Sequence, residues 1–370
     1  MPAVSVKDRL KGVKIPARKA PAGPVWKGPA GDGPNGGVTQ SMLGRYLSCK
    51  ERFRIGTVEG LKPVEGFNPR MEFGNMWHVC EENFAVGTGR VWANKLAEYV
   101  ADLAKKYPLQ RDQVQHWRDM TLEMFPRYVE YWKDHPDVRN RKVLVREEKF
   151  DVRLDLPSGR FVRLRGKWDQ VDAPKQLVSK SQGGVSDLCL QDHKTKSSID
   201  LAKLMRQLTF DLQMMTYAVS LTHGPKEYHD LRRGRYNLIR RPAHKTVESA
   251  MKKMDEDFRN NRRDEWFCRL EFPITPADVA RFRRETLDPL LENLLDDYEW
   301  WWSACQSYAP VWDYKRRAKT FPEHQARHFR YPFGVYSPLE EAGGTDLDSY
   351  METGSEVGLR RVTDLFPELK

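Results

Sequence analysis

Apolar residues recur at helical spacing through much of the first 135 positions of the chain. They do so over residues 42–53, over 73–84 and over 91–133, where the pattern breaks near Pro108. Residues three and four apart share one face of a helix, so this spacing predicts helices that bury one side. We expect the stretch 91–135 to be a helical insertion rather than part of a catalytic centre.

The pattern then changes to the two-residue period of β-strands. Residues 143–156 and 159–171 follow it on either side of a Pro-Ser-Gly turn, as in a hairpin, and 186–193 and 236–240 are two shorter runs. Between these two runs, residues 198–221 have strong helical spacing. The order of helix, hairpin, strand, helix and strand predicts an α/β fold.

The two ends of the chain differ in composition from its middle. Residues 1–37 are rich in Pro, Gly, Ala and Lys and carry seven Lys or Arg against two Asp, which predicts a disordered basic arm. Trp26 within this arm can be a docking anchor, or it can be incidental. Residues 38–310 hold the periodic segments, including helices over 246–263 and 276–308, and are expected to form one domain. Residues 311–370 predict an irregular C-terminal extension with an acidic tail.

Charge and composition narrow the class of partner. The formal net charge is +10, which favours an anionic partner, nucleic acid before membrane. The basic stretch over 232–263, which includes Arg240, is a candidate surface for a nucleic-acid backbone, or else a solvated face. No apolar run approaches the roughly 18 residues of a membrane span, and no secretion signal is evident, so we expect a cytoplasmic protein. The five cysteines contain no C-x-x-C, which argues against disulfides and zinc fingers.

Three blocks of polar residues carry the candidate chemistry. They are RGKWDQVD with Asp169, LQDHKTKS with Asp192 and Lys194, and QLTFDLQMMTY with Gln213 and Tyr217. Asp192 and Lys194 are two apart on a predicted strand, so their side chains leave the same face. Asp169 belongs to the neighbouring strand, and two converging carboxylates can hold Mg²⁺ or Mn²⁺. Since a lysine beside them can orient and help deprotonate the attacking water and then stabilise charge on a phosphate, the set suits metal-dependent phosphodiester cleavage.

Other polar residues near these blocks allow more than one interpretation. Gln213 and Tyr217 share a helical face and can contact a scissile phosphate, or they can border the core. His78 can complete a Mn²⁺ site, but a lone histidine can also be a structural residue. Glu147 and Glu148 open the strand before the first block, and either can reach a metal, or neither.

Taken together, these residues resemble the PD-(D/E)XK nuclease superfamily, and specifically its RecB-like branch, which includes many phage exonucleases. The resemblance covers about residues 41–291. It consists of SMLGRYLSCKERF in the first helix, Gly74 with His78, Gly166-x-x-Asp169-x-x-Asp172, Asp192-x-Lys194-Thr195, and Gln213-x-x-x-Tyr217. The last of these motifs is specific to the RecB-like branch.

The resemblance implies a restriction-endonuclease-like core, which is a central mixed β-sheet flanked by helices, and a divalent metal site. The implied metal ligands are His78, Asp169, Asp192 and the backbone carbonyl of His193. Lys194 would be catalytic, and Gln213 and Tyr217 would position DNA. Asp172 would orient neighbouring groups rather than bind the metal.

The chain departs from the iron–sulfur members of this family. Those relatives hold a cluster with four cysteines, one at the place of Cys49 and three near the C-terminus, whereas this chain has only Cys268 and Cys305 in its last third. A cluster needs four such ligands, so we expect none. His324 and His328 can form a substitute metal site, or they can be packed or exposed residues.

The expected function is that of a Mg²⁺- or Mn²⁺-dependent deoxyribonuclease, an exonuclease of recombination, repair or phage DNA processing. It would act on single- or double-stranded DNA, leave 5′-phosphate and 3′-hydroxyl ends, and have a recombination or replication protein as a candidate partner. The alternative is a nuclease-fold protein that grips DNA or a partner without cutting. The presence of Asp169, Asp192 and Lys194 favours the enzyme.

Overall fold

The computed structural model describes residues 24–48, 50–63, 66–84, 90–178, 186–225, 228–306 and 359–369. Within them the chain forms a five-stranded mixed sheet, a separate pair of short strands, and helices that pack on the sheet. This confirms the predicted α/β class and the mixed sheet flanked by helices. Among the described residues, no helix combines the length and the apolar content that crossing a bilayer requires.

The predicted helices and strands occur in the predicted order, and the structure adds three strands that the apolar pattern did not predict, at Leu61–Pro63, Phe267–Pro273 and Leu359–Arg361. The strands are β1 (Leu61–Pro63), β2 (Arg141–Asp155), β3 (Phe161–Pro174), β4 (Leu188–Lys196), β5 (Leu231–Arg240), β6 (Phe267–Pro273) and β7 (Leu359–Arg361). The main helices are α1 (Gln40–Ser48), α2 (Pro69–Asn83), α3 (Val91–Lys106), α4 (Arg111–Trp132), α5 (Leu201–Leu208), α6 (Leu212–His223), α7 (Val247–Arg259), α8 (Pro276–Phe282) and α9 (Asp288–Gln306). Shorter helical turns lie at Lys50–Phe53, Arg54–Val58, Pro108–Gln110, Pro136–Arg139, Lys175–Val178, Arg263–Glu265, Arg283–Leu287 and Pro367–Leu369.

The central sheet has the strand order β2-β3-β4-β5-β6. β4 and β5 run parallel, and the other neighbours are antiparallel. The β2–β3 hairpin turns at Gly159, whose φ of +82° suits a residue without a Cβ. Helices α5 and α6 form the crossover from β4 to β5 that a parallel pair requires. The strand that carries Asp192 and Lys194 therefore lies in the middle of the sheet.

Apolar side chains cover both faces of the sheet. Leu238 of β5 lies in a core with residues of α1, α6 and α9, whereas Ile239 lies in a second core with residues of α2, α3, α4 and α7. Neighbouring strand residues point to opposite faces, which accounts for the division. The predicted insertion supplies α3 and α4, broken at Pro108 as expected, and packs on the buried Trp77 of α2. It thereby holds α2 in place.

The helix predicted over 198–221 is in fact two helices, α5 and α6, separated by residues 209–211. Phe210 has a φ of +56°, outside the helical region. The Asp211 carboxylate caps α6 by accepting the Met214 N–H at 2.8 Å, which satisfies a donor that a helix start leaves without an internal partner. The apolar spacing continues across this break, so periodicity alone predicts one helix.

The predicted disordered arm over 1–37 is corrected at its C-terminal end. Residues 1–23 lie outside the described residues, but residues 24–37 pack against the domain. Trp26 is fully buried, donates its indole N–H to the Gly37 carbonyl at 2.9 Å, and meets Phe53 edge-on with ring centroids 5.3 Å apart. A buried indole supplies a large apolar contact area, and this anchors a segment whose Pro and Gly content otherwise favours disorder.

The predicted irregular extension over 311–370 also needs correction. Its residues up to 358 lie outside the described residues, but β7 pairs with β1 in an antiparallel manner. Phe366 is buried, and the Asn35 side chain donates to the Thr363 carbonyl at 2.7 Å. The last described residues therefore belong to the folded domain.

Replacing Trp26 with alanine should lower the free energy of unfolding by about 3–5 kcal/mol, the usual loss when a buried tryptophan is truncated. Chemical denaturation followed by circular dichroism measures this change. The control is Leu109→Ala, since Leu109 is 92% exposed and should contribute little to stability. Equal unfolding free energies for Trp26→Ala and the wild type would show that residues 24–37 are not docked.

Candidate active site

Two carboxylates meet where the pairing of β3 with β4 ends. The last paired residues are Gln170 and Gln191, and the next positions in the same register are Asp169 and Asp192. Both carboxyl side chains are largely buried, and Asp169 Oδ2 accepts the backbone N–H of His193 at 2.7 Å. The structure thus places the two acids side by side, as the predicted strand order requires.

Lys194 is held by an ion pair with Asp192 and a hydrogen bond to Gln213. Its Nζ lies 2.7 Å from Asp192 Oδ2 and donates to Gln213 Oε1 at 2.7 Å. Gln213 Nε2 in turn donates to Asp192 Oδ1 at 2.7 Å. The cap at Asp211 fixes the first turn of α6, and the Tyr236 hydroxyl donates to the same carboxylate at 2.6 Å. The break between α5 and α6 is therefore what brings Gln213 to the lysine.

Helix α6 is fixed on the sheet by aromatic packing. Phe150 and Trp168 stack with ring centroids 4.9 Å apart, and the Trp168 indole N–H donates to Ser220 Oγ at 2.9 Å. Gly166 lies beneath the Phe150 ring, where a Cβ would come within 2.5 Å of a ring carbon. Steric contact thus explains the glycine of the G-x-x-D motif. Any side chain at this position would displace Phe150, which supports α6.

His78 approaches the acids from α2. Its Nδ1 lies 3.0 Å from Glu147 Oε1 and 3.8 Å from Asp169 Oδ2, and Lys167 pairs with the same glutamate. One potential ligand atom from each of His78, Glu147 and Asp169 falls within 4.8 Å of the others. Carboxylate and imidazole groups at such spacing are the donors that divalent cations take in proteins.

Glu147 is a site residue that sequence reasoning left undecided. Its neighbours on β2 pair with β3 on either side of it, so Glu147 lies opposite Asp169, and its φ of +47° is rare for a residue with a side chain. Backbone strain of this kind concentrates at functional sites. The sequence did contain a signal for Glu147. When the residues of the hairpin are paired outward from the turn at Gly159, Glu147, and not Glu148, falls opposite Asp169.

The charged side chains of the site shift one another's pKa values. Burial raises the pKa of Asp169, His78 opposes the rise, and Asp192 and Glu147 add to it, which leaves a value of about 6. Burial lowers the pKa of His78, but the carboxylates of Asp169 and Glu147 outweigh it and raise the pKa to about 9. Burial also lowers the pKa of Lys194, and the Asp192 carboxylate reverses this so that the net shift is upward. His78 and Lys194 are thus cations that balance crowded carboxylates.

These side chains border a cavity of about 560 Å³. His78, Glu147 and Asp169 form part of its wall, together with Tyr217 from α6 and Glu368 from the last described turn. The crowded carboxylates fit a divalent cation, because its charge would replace the repulsion between them with attraction. The donor set and the adjacent lysine together have the composition of a metal-dependent hydrolytic centre.

The sequence profile of the PD-(D/E)XK nuclease superfamily matches residues 38–299, which include the five-stranded sheet and the site residues from His78 to Tyr217. The chain belongs to that superfamily. No curated protein matches the chain closely enough to be called a relative. PD-(D/E)XK nucleases use divalent metal ions, and the His78, Glu147 and Asp169 cluster is a candidate position for one here.

The other predicted residues of this PD-(D/E)XK site are His193, Tyr217 and Arg240, and their surroundings differ. The His193 ring is buried 2.8 Å from Asn237 Nδ2, and burial lowers its pKa to about 4, so the ring is neutral. Its backbone carbonyl remains the predicted ligand. Tyr217 borders the cavity and meets Phe150 edge-on with ring centroids 5.7 Å apart. Arg240 lies over the Trp266 ring, 4.8 Å from its centroid.

Part of the predicted basic surface over 232–263 is committed to structural ion pairs. Arg235 is buried and pairs with Asp172 at 3.0 Å and with Glu271 at 2.8 Å, and Arg233 pairs with Glu271 at 3.1 Å. These guanidinium groups join β3, β5 and β6 and are not free for a nucleic acid. Asp172 accordingly stabilises the sheet on the side away from the metal site.

The iron–sulfur expectation stays a prediction. Cys80, Cys189 and Cys268 are buried free thiols. Cys49, His324 and His328 lie outside the described residues.

Replacing Glu147 with glutamine should weaken the binding of Mn²⁺ by about 10–100-fold, the usual effect of removing a carboxylate that orients a metal-binding histidine. Isothermal titration calorimetry measures the affinity without any need for catalysis. Glu148→Gln is the matched control, since Glu148 is its exposed neighbour on the same strand. Equal affinities in the two variants would remove Glu147 from the site.

Proposed function

We propose that this PD-(D/E)XK protein is a Mg²⁺- or Mn²⁺-dependent DNA nuclease, an exonuclease of the RecB-like branch that works in recombination, repair or phage DNA processing. The observation that carries the proposal is the hydrogen-bonded set of Asp192, Lys194 and Gln213 beside the His78, Glu147 and Asp169 cluster. Water attacks phosphorus, the bond from phosphorus to the 3′-oxygen breaks, and the ends are a 5′-phosphate and a 3′-hydroxyl.

The chain supplies a suitable set of donors for the ion. His78, Asp169, Asp192 and the His193 carbonyl are assigned as its ligands. The ion, when bound, acts as a Lewis acid at the phosphate and lowers the pKa of water. Glu147 holds His78 through Nδ1, an arrangement that fixes the orientation of a metal-binding imidazole.

Lys194 acts as an ammonium group, because its pKa is raised rather than lowered. In that state it orients the attacking water by hydrogen bonding and stabilises the negative charge that grows on the phosphate oxygens. Gln213 holds Nζ in place between itself and Asp192, so it is a positioning residue. The water loses one proton and the departing 3′-oxygen gains one, so no net proton is consumed at the phosphodiester itself.

DNA would lie across the end of the sheet from which these groups project. Tyr217 borders the cavity one helical turn beyond Gln213 and is assigned to the substrate together with it. The backbone of Arg240 pairs in register with Lys196, two residues beyond Lys194, and its guanidinium lies over the Trp266 ring with Glu265 3.7 Å away. Its guanidinium is assigned to the DNA backbone.

Replacing Lys194 or Asp192 with alanine should reduce metal-dependent cleavage of end-labelled DNA by at least about 10²-fold, because each removes charge stabilisation from the transition state. Cleavage is measured on linear and circular DNA, single- and double-stranded, with Mg²⁺ or Mn²⁺. The control is Lys105→Ala, a change at an exposed lysine of α3, which should leave the rate of cleavage unchanged.

Resistance of circular DNA would support the exonuclease assignment. Binding of DNA by the wild type without cleavage of any of these substrates would contradict the nuclease proposal and favour a protein that only grips DNA.

Metal binding should release protons. With a pKa of about 9, His78 is protonated at pH 7 in the metal-free protein, and a histidine must be neutral to bind a metal. The affinity for Mn²⁺ should therefore rise from pH 6 to pH 9. Calorimetry at pH 7 in buffers of different ionisation enthalpy should show about one proton released per ion. His78→Gln should show less release, and release that is unchanged in this variant would remove His78 from the ligand set.

A further inference from the structure

The last residue of β4 is a lysine on the same face as the catalytic groups. Asp192, Lys194 and Lys196 alternate along the strand, so their side chains project in one direction. Residues two apart on a strand are about 7 Å apart, which is comparable with the separation of neighbouring phosphates along a nucleic-acid strand. Lys196 is therefore spaced for the phosphate that follows or precedes the one at Lys194.

Lys196 is a half-buried cation without a carboxylate at ion-pair distance among the described residues. Within the part of the chain that the structure describes, no carboxylate lies within ion-pair distance of its Nζ, whereas Lys194 has Asp192 at 2.7 Å. Burial and the neighbouring charge of Lys194 lower the pKa of Lys196, and the more distant carboxylates of Asp211 and Asp192 oppose this shift only in part. Such a position is unfavourable for a lysine in the free protein, and an anion would relieve it.

Two arginines extend the uncompensated charge beyond Lys196. The Arg241 N–H donates to the Lys196 carbonyl at 2.7 Å, so the two residues lie against each other at the strand ends. Burial and the proximity of Arg70, in the first turn of α2, lower the pKa of Arg241. Neither arginine has a described carboxylate within ion-pair distance, in contrast to the paired Arg233 and Arg235. Cations that stay close together without an acid suit a polyanion.

We propose that Lys196 binds the backbone phosphate adjacent to the scissile one, and that Arg241 and Arg70 continue this contact along the same strand of nucleic acid. The inference rests on the proposed nuclease function and adds the subsite that positions the substrate. Lys194 serves the phosphate that is cut, and Lys196 fixes which phosphate that is by holding its neighbour.

The test uses the full chain and oligonucleotides in which one phosphate is replaced by an uncharged methylphosphonate. The replacement is made in turn on each side of the scissile position, and kcat and KM are measured with Mn²⁺ for the wild type and Lys196→Ala. Lys196→Ala should raise KM about tenfold on the unmodified substrate, the effect of losing one charge-assisted contact. With the methylphosphonate at one of the two positions, the KM of the wild type should rise by a similar factor. The KM of Lys196→Ala should not rise further with that substrate, because the contact is already lost.

A second measurement does not require cleavage. In metal-free buffer, the slope of log Kd against log salt concentration should fall by about 0.7–0.9 in Lys196→Ala, the contribution of one phosphate contact. Lys105→Ala removes an equal charge from an exposed position on α3 and should keep the wild-type slope and KM.

The outcomes separate the two proposals. A wild-type protein that neither binds nor cleaves DNA contradicts the proposed function and this inference with it. A wild type that cleaves, with Lys196→Ala keeping the wild-type salt slope and an equal sensitivity to methylphosphonate at both positions, contradicts the subsite alone.

Discussion

Repulsion between Asp169, Asp192 and Glu147 is the constraint around which this part of the protein is built. All three carboxylates are largely buried at the end of one sheet, where little water screens them. Three cationic groups balance them in the metal-free protein, namely His78, Lys167 and Lys194. A divalent ion would take over part of this balance, so a cluster that costs stability when empty is suited to binding when the ion is present.

Such crowding persists only if the supporting elements cannot relax. The α3–α4 insertion packs on Trp77 and so holds the helix that carries His78. The stacked Phe150 and Trp168 fix α6 and with it Gln213. Arg235 joins three strands through its buried ion pairs. Residues far from the chemistry thus determine the distances between the charges, which is the usual role of a rigid scaffold under a reactive site.

The sequence was informative where local periodicity determines structure. The alternation that places Asp192 and Lys194 on one face, and the hairpin that brings Asp169 beside them, follow from two-residue spacing. The break at Phe210 was not predictable from spacing, because it depends on backbone conformation and on the Asp211 cap. The docking of Trp26 was left undecided for a different reason, since its contacts are with residues distant in sequence and its segment has the composition of a disordered tail.

Anomalous diffraction from crystals soaked in Mn²⁺ tests the central claim most directly. The account predicts one strong anomalous peak between His78 and the carboxylates of Asp169 and Asp192, within about 2.0–2.6 Å of their ligand atoms. It predicts that this peak disappears in Asp169→Asn. An ion bound elsewhere in the protein, or an empty cluster at a Mn²⁺ concentration that supports cleavage, would contradict the account.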